Sequence, residues 1–248
     1  MLTLYFSGTG NSRFVAETLA GGMGGDCLSI EDGADYGGLI RTADAVAFAY
    51  PIYCSRPPRI VREFVKAHAE ALRGKPLVIL CTQMGFSGDG ARCFTDLLPG
   101  GSFTVRYAEH ITMPNNINNF FLFPRTGEKR CLRLRKNAER RLARVCADLK
   151  AGRVRKRGFN GLSRALGLIQ GSFLPKMEQM SNNAVTIGGE CTGCGLCVKR
   201  CPMKNLVLAD GKAEARGNCT ECYRCINLCP ERAVRIYFRK RVKWQYRP

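Results

Sequence analysis

The chain has 248 residues, 45% hydrophobic and 24% charged, a globular composition that excludes wholesale disorder and a collagen-like fibre. No run of about 18 apolar residues occurs, and Met1–Phe6 reads straight into a strand, so neither a transmembrane helix nor a secretory leader is expected. The 39 Lys and Arg outnumber 20 Asp and Glu to give +19, and the whole excess lies after residue 125, where a compositional boundary falls.

Leu2–Phe6 is a predicted strand. Ser12–Met23 is helical, with Phe14, Val15, Leu19 and Met23 among its apolar positions. Cys27–Ile30 is a short strand and Asp44–Tyr50 a buried one. Pro57–Leu72 is a helix with Pro58 in its first turn and Ile60, Val61, Phe64 and Val65 on one face. Pro76–Thr82 is a buried strand, Ala91–Leu98 a short helix, Phe103–His110 a strand. Continuous apolar strands alternating with amphipathic helices imply a parallel sheet covered on both faces. That is a doubly wound α/β domain, whose ligand crevice lies beyond the carboxyl ends of its strands.

Met113–Pro124 is irregular and rich in Asn and Phe. Gly127–Ala151 reads as a strongly basic helix, and Gly152–Asn160 as a linker. Phe159, Leu162, Leu166, Ile169 and Phe173 then recur at helical spacing. They read as a docking face against the domain core, with membrane-surface contact as the alternative. The basic excess sits in two stretches, 126–157 and 235–248. Such a surface attracts acidic proteins, anionic lipid or nucleic acid; its plain alternative is a solvated helix face with a solubilising tail.

Without a leader the default location is the cytosol, where the 14 cysteines read as metal ligands or free thiols rather than disulfides. Cys191-x2-Cys194-x2-Cys197-x3-Cys201-Pro202 recurs as Cys219-x2-Cys222-x2-Cys225-x3-Cys229-Pro230. Close Cys-x2-Cys steps let one loop wrap three corners of a cubane. Structural zinc more often uses two separated Cys pairs. Residues 185–238 therefore resemble the two-cluster bacterial ferredoxins. In that motif the fourth cysteine ligates the other cluster. The resemblance assigns Cys191, Cys194, Cys197 and Cys229 to one 4Fe–4S cluster, and Cys219, Cys222, Cys225 and Cys201 to the second. Cys27 and Cys81, in predicted strands, read as inert core residues.

Ser7-Gly8-Thr9-Gly10-Asn11-Ser12 joins the first strand to the first helix. Amides at a helix N-terminus favour an anion, and small residues let the backbone approach it. The loop holds no Lys or Arg, so it is neither a Walker loop nor a G-x-G-x-x-G dinucleotide fingerprint. It is similar to the loop with which flavodoxins hold the phosphate of FMN. That resemblance implies phosphate contacts from Ser7, Thr9, Gly10, Asn11 and Ser12. It implies that Pro51, Ile52 and Tyr53 after the third strand, and Gly85, Phe86, Ser87 and Gly88 after the fourth, flank the flavin ring. Tyr53 or Phe86 would stack on it.

The whole chain resembles the flavodoxin–ferredoxin fusion proteins of anaerobic bacteria and archaea. Pro57-Pro58-Arg59 and Met113-Pro114-Asn115 belong to the same likeness. It implies a flavodoxin-like FMN domain over 1–125, a basic helical connector over 126–184, a small α+β two-cluster ferredoxin domain over 185–238, and a basic tail over 239–248. The implied function is electron relay between FMN and two 4Fe–4S clusters, to or from an acidic ferredoxin, flavodoxin or reductase. An FMN-dependent oxidoreductase reducing a small molecule, with Met113–Pro124 lining its site, is the alternative. A nucleic-acid-binding redox sensor, using Arg239–Trp244, ranks third. No catalytic residue is identified; His68 and His110 are the only histidines, His68 read as surface and His110 as able to face the crevice.

Overall fold

Strands with no polar face need cover on both sides, and the first part of the chain supplies it. The computed structural model describes residues 1–100, 103–120, 123 and 125–247. It divides into two compact units, one of residues 1–114 and 128–174, the other of 115–127 and 175–248.

In the first unit the order is β1 (Leu2–Tyr5), α1 (Asn11–Met23), β2 (Cys27–Ser29), α2 (Tyr36–Thr42), β3 (Val46–Pro51), α3 (Arg59–Ala67), β4 (Pro76–Gln83), α4 (Gly90–Thr95), β5 (Thr104–Thr112), α5 (Glu128–Lys150), β6 (Arg155–Lys156) and α6 (Gly161–Gly171). The sheet runs β2-β1-β3-β4-β5-β6, all neighbours parallel. Chain direction reverses its lateral course between β2 and β3, which creates a crevice at the carboxyl ends of β1 and β3. This is the flavodoxin-like arrangement the sequence implies.

The period of two decides which side chains meet which helices. Ala47 and Ala49 of β3 join Val78 and Leu80 of β4 in one core cluster with Val15, Ala16 and Leu19 of α1. Phe48 and Tyr50 take the opposite face, where Phe94 lies 4.7 and 5.6 Å from their ring centres. The helix α2 went unread because two glycines interrupt its pattern; Asp35 caps it by accepting from Gly38 N. The predicted helix over 57–72 is shorter, ending at Ala67.

The basic helix α5 is no connector. Ala138, Leu142, Val145 and Cys146 are buried and join the α1 cluster. Their spacing is one helical stripe, which thirteen surrounding cationic residues of 126–157 obscure in the sequence. Arg135 lies over the Phe14 ring at 5.5 Å. Gly22 of α1 meets Cys146, a close approach that a larger residue would prevent. The expected linker contains β6, which pairs with Tyr107 and Ala108 of β5. Of the expected docking face, Phe159 and Leu166 are half-buried while Leu162, Ile169 and Phe173 are exposed, and the buried residue of α6 is Gly167.

The second unit holds α7 (Leu174–Asn182), β7 (Val185–Ile187), α8 (Leu196–Lys199), β8 (Leu206–Ala209), β9 (Lys212–Ala215), α9 (Arg224–Leu228) and β10 (Val234–Ile236). The strands form two antiparallel pairs, β7 with β10 and β8 with β9. Two segments assigned elsewhere by sequence belong here. Asn118 Nδ2 donates to Asn227 Oδ1 at 3.0 Å, Asn227 Nδ2 to Asn116 O at 3.1 Å, and Asn119 Nδ2 to Ile236 O. The expected free tail packs too: Val242 and Tyr246 are buried, and Gln245 Nε2 donates to Ile226 O and Cys229 O. Asn116, Asn118 and Asn119 thus fasten this segment within the second unit.

Candidate functional site

The phosphate loop follows β1 and opens α1. Gly10 adopts φ 99° as the helix N-cap, a conformation that suits glycine. Its N–H donates to Ser7 Oγ at 3.0 Å, which folds the loop back on itself. First-turn amides have no partner within a helix, and the first turn of α1 carries no acidic residue. The loop therefore offers amide donors and the positive end of a helix dipole to an anion. Gly10, Ser7, Thr9 and Asn11 are all half-buried.

Two side chains implied as phosphate donors are otherwise engaged. Ser12 is buried and its hydroxyl shares a 2.7 Å bond with Thr82 Oγ1 of β4. Asn11 Nδ2 donates to Pro114 O at 3.0 Å. Both fix the loop against the sheet, so their contribution to an anion is through the backbone.

The other two loops meet at the carboxyl ends of β3 and β4. Ile52 N donates to Thr82 O, and Tyr53 and Arg56 close a tight turn across Cys54 and Ser55, both left-handed at φ 46° and 58°. Phe86 is 63% exposed beside an open Gly85, so an aromatic face is available to stack. Ser87 and Gly88 point inward instead. Ser87 N donates to Gln83 Oε1, and Gly88 N donates to Ser55 Oγ at 2.8 Å. These two hold the loop's shape rather than present their polar groups outward.

Beneath that loop lies a buried polar cluster which the sequence did not reveal. Asp89, fully buried, accepts from Arg56 at 3.1 Å and pairs with Arg92 at 2.7 Å. Cys93 Sγ donates to Asp89 Oδ1, and burial pushes its thiol up to about 12, with Asp89 adding to the effect. Ala91 N donates to His110 Nε2 at 3.3 Å, which leaves Nδ1 as the protonated nitrogen facing Ser87 Oγ at 3.2 Å. Burial lowers the His110 imidazole to about 4, with Arg157 reinforcing the shift. It is a buried histidine that stays uncharged at neutral pH.

All eight motif cysteines lie in the second unit as free thiols. Cys191, Cys194, Cys197 and Cys229, with the turn residues between them, line one small cavity. Burial is the main cause that raises the Cys225 thiol, and the neighbouring thiols of Cys222, Cys219, Cys201 and Cys197 add to it. Cys229 lies beside the first run, the neighbour that the ferredoxin likeness implies for it. Among the described residues no three such ligands gather around one point for a single ion. Bound iron would favour thiolates that burial alone disfavours. Backbone amides already aim at the sulfurs: Asn205 N at Cys201 (3.2 Å), Glu221 N at Cys219 (3.3 Å) and Ala233 N at Cys229 (3.3 Å). The residues present fit FMN in the first unit and two cubanes in the second.

Known proteins bear on the same division. Residues 2–120 match a family model described as a flavodoxin domain, and residues 190–234 one described as a 4Fe-4S dicluster domain. The first implies FMN, the second two 4Fe–4S clusters. No curated protein matches the chain. Among solved structures, a protein of Bacteroides eggerthii described as a flavoprotein is 24% identical, with 59% of this chain and 96% of that one covered and a TM-score of 0.40. The two-electron reduced flavodoxin of Megasphaera elsdenii is 20% identical, with 56% and 99% covered and a TM-score of 0.37. The Trp repressor binding protein of Bacillus subtilis is 13% identical, with 56% and 96% covered and a TM-score of 0.41. These overlaps are too loose to add to what the strand order shows. No helix among the described residues is long and apolar enough to cross a membrane.

Proposed function

For a chain that joins a flavodoxin domain to a 4Fe-4S dicluster domain, we propose a cytosolic electron relay in which both cofactor types serve one path to or from an acidic redox protein. The observation that carries it is the pair of repeated four-cysteine runs in the second unit on the same chain as a strand–helix loop with the glycine-capped fold of an FMN phosphate site. FMN takes one or two electrons and a cubane passes one, so together they interconvert the two kinds of chemistry.

This chain's own residues have defined tasks in that reading. The amides of 9–12 hold the phosphate; Pro51, Ile52, Tyr53, Gly85 and Phe86 border the ring, while Ser87 and Gly88 shape its loop. Cys191, Cys194, Cys197 and Cys229 hold one cluster; Cys201, Cys219, Cys222 and Cys225 hold the other. Arg140, Arg141 and Arg144 of α5 line an open groove with Asn137 beside Thr112. Three guanidiniums on one groove suit an acidic partner and steer its approach.

The test is anaerobic reduction by an acidic ferredoxin, with the flavin absorbance followed in time. Flavin reduction is expected to slow at least about tenfold when Cys225→Ala removes a cluster, and to slow with rising salt. An unchanged rate in both respects would overturn the relay and its acidic partner.

A further inference from the structure

We infer that residues 158–171, which carry the chain through α6, form a further wall of the flavin site, with Gln170 as the residue that positions the two ring-bordering loops. The inference rests on the reading of this chain as FMN-binding. Gln170 Oε1 accepts from Gly88 N at 3.1 Å and also bonds the Ser55 hydroxyl. Ser55 Oγ itself accepts from Gly88 N at 2.8 Å. One side chain of α6 thus ties the loop after β3 to the loop after β4.

Three glycines of the segment and Gly88 of the loop let the two come that close. A Cβ on Gly167 would overlap the Asp89 carboxylate, and one on Gly88 would overlap the Gly167 backbone. A Cβ on Gly171 would collide with the Arg56 guanidinium. Gly158, at φ 87°, leaves only 3.0 Å between such an atom and the His110 ring. Asn160 caps the helix by accepting from Ser163 N at 2.8 Å, which fixes where α6 begins. The inner face of α6 is therefore small and polar, shaped to the loops, while its large apolar residues face away. A helix serving only to bury surface would turn Leu162, Leu168 and Ile169 inward.

Ring-bordering loops must be held before the ligand arrives, or binding bears the cost of ordering them. Gln170 supplies that order from outside the loops. The test is FMN titration of the flavin-free full chain, read by quenching of flavin fluorescence, with circular dichroism melts alongside. Gln170→Ala is expected to weaken FMN about tenfold, the cost of one buried hydrogen-bond partner, while the melt stays near that of wild type. Gln170→Glu keeps an acceptor oxygen and is expected to stay within about threefold of wild type. Ser55→Ala provides a second route and is expected to weaken FMN about three- to tenfold. Leu162→Ala, on the outer face, should change nothing. Wild-type affinity in both Gln170→Ala and Ser55→Ala would overturn the inference and leave the FMN reading standing. A wild-type chain that binds no FMN would overturn both.

Discussion

The two cysteine runs share their backbone and differ in their cover. Gly193 and Glu221, Gly195 and Tyr223, and Lys204 and Arg232 stand at corresponding positions of the repeat. All six are left-handed, at φ 67° and 54°, 72° and 58°, 49° and 51°. The same turn is made once with glycines and once with a buried glutamate and a tyrosine. Cys194 of the first run is exposed, Cys191 and Cys201 are half-buried, and Cys197 is buried. Cys219, Cys222 and Cys225 of the second are all buried. The cover comes from Asn116, Asn118 and Gln245, which bond to α9 or its flanks. Wrapping a cubane therefore fixes the dihedral angles, while the segments laid over the run fix its access to solvent.

The sharpest way to break that contrast is to remove one ligand from each run. Cys225→Ala takes a ligand from the core of the unit and is expected to leave fewer than about four irons per chain with loss of folded signal. Cys194→Ala, at the surface, is expected to keep about four irons and a near-native circular dichroism spectrum. Equal losses from both would show that cover is irrelevant. Next in size is chelator access. Under anaerobic conditions the cluster absorbance is expected to bleach in two phases at least about tenfold apart, the fast one missing in Cys194→Ala. A single phase would contradict the difference in exposure.

Smaller effects sharpen the comparison at the turns themselves. Gly193→Ala forces a left-handed alanine and overlaps Gly211 O, so a loss of about 2 kcal/mol is expected. Glu221→Gly has the opposite sign. It relieves the same left-handed strain and removes a carboxyl oxygen buried with no hydrogen-bond partner, for a gain of about 1 kcal/mol. Both are read as shifts of the thermal midpoint of cluster bleaching. A loss at Glu221 as large as that at Gly193 would mean that the carboxyl is needed where it lies.

The same contrast explains what could be read in advance. Cysteine spacing is a one-dimensional signal, because a cubane is wrapped by consecutive residues; both runs are legible in it, while their crossed pairing is what the ferredoxin likeness implies. The loop from Ser7 to Ser12 is legible too, since its chemistry is local. What escaped detection depends on distant partners. Ser12 was read as a phosphate donor, yet its hydroxyl belongs to Thr82. The four buried residues of α5 were masked by the charges between them. Asn116, Asn118 and Asn119 looked like loop and serve as fasteners for α9 and β10. Gly158, Gly167 and Gly171 carried a faint signal, glycines where an ordinary amphipathic helix would hold larger residues, and only the loops they meet give it meaning.

The most direct measurement of the central claim is the flavin, iron and acid-labile sulfide content of the full chain after strictly anaerobic purification with FMN supplied. A relay of one flavin and two cubanes predicts about one FMN, eight iron and eight sulfide per chain. Full iron and sulfide with no retained flavin would contradict it, and would make the first unit a docking head on a ferredoxin.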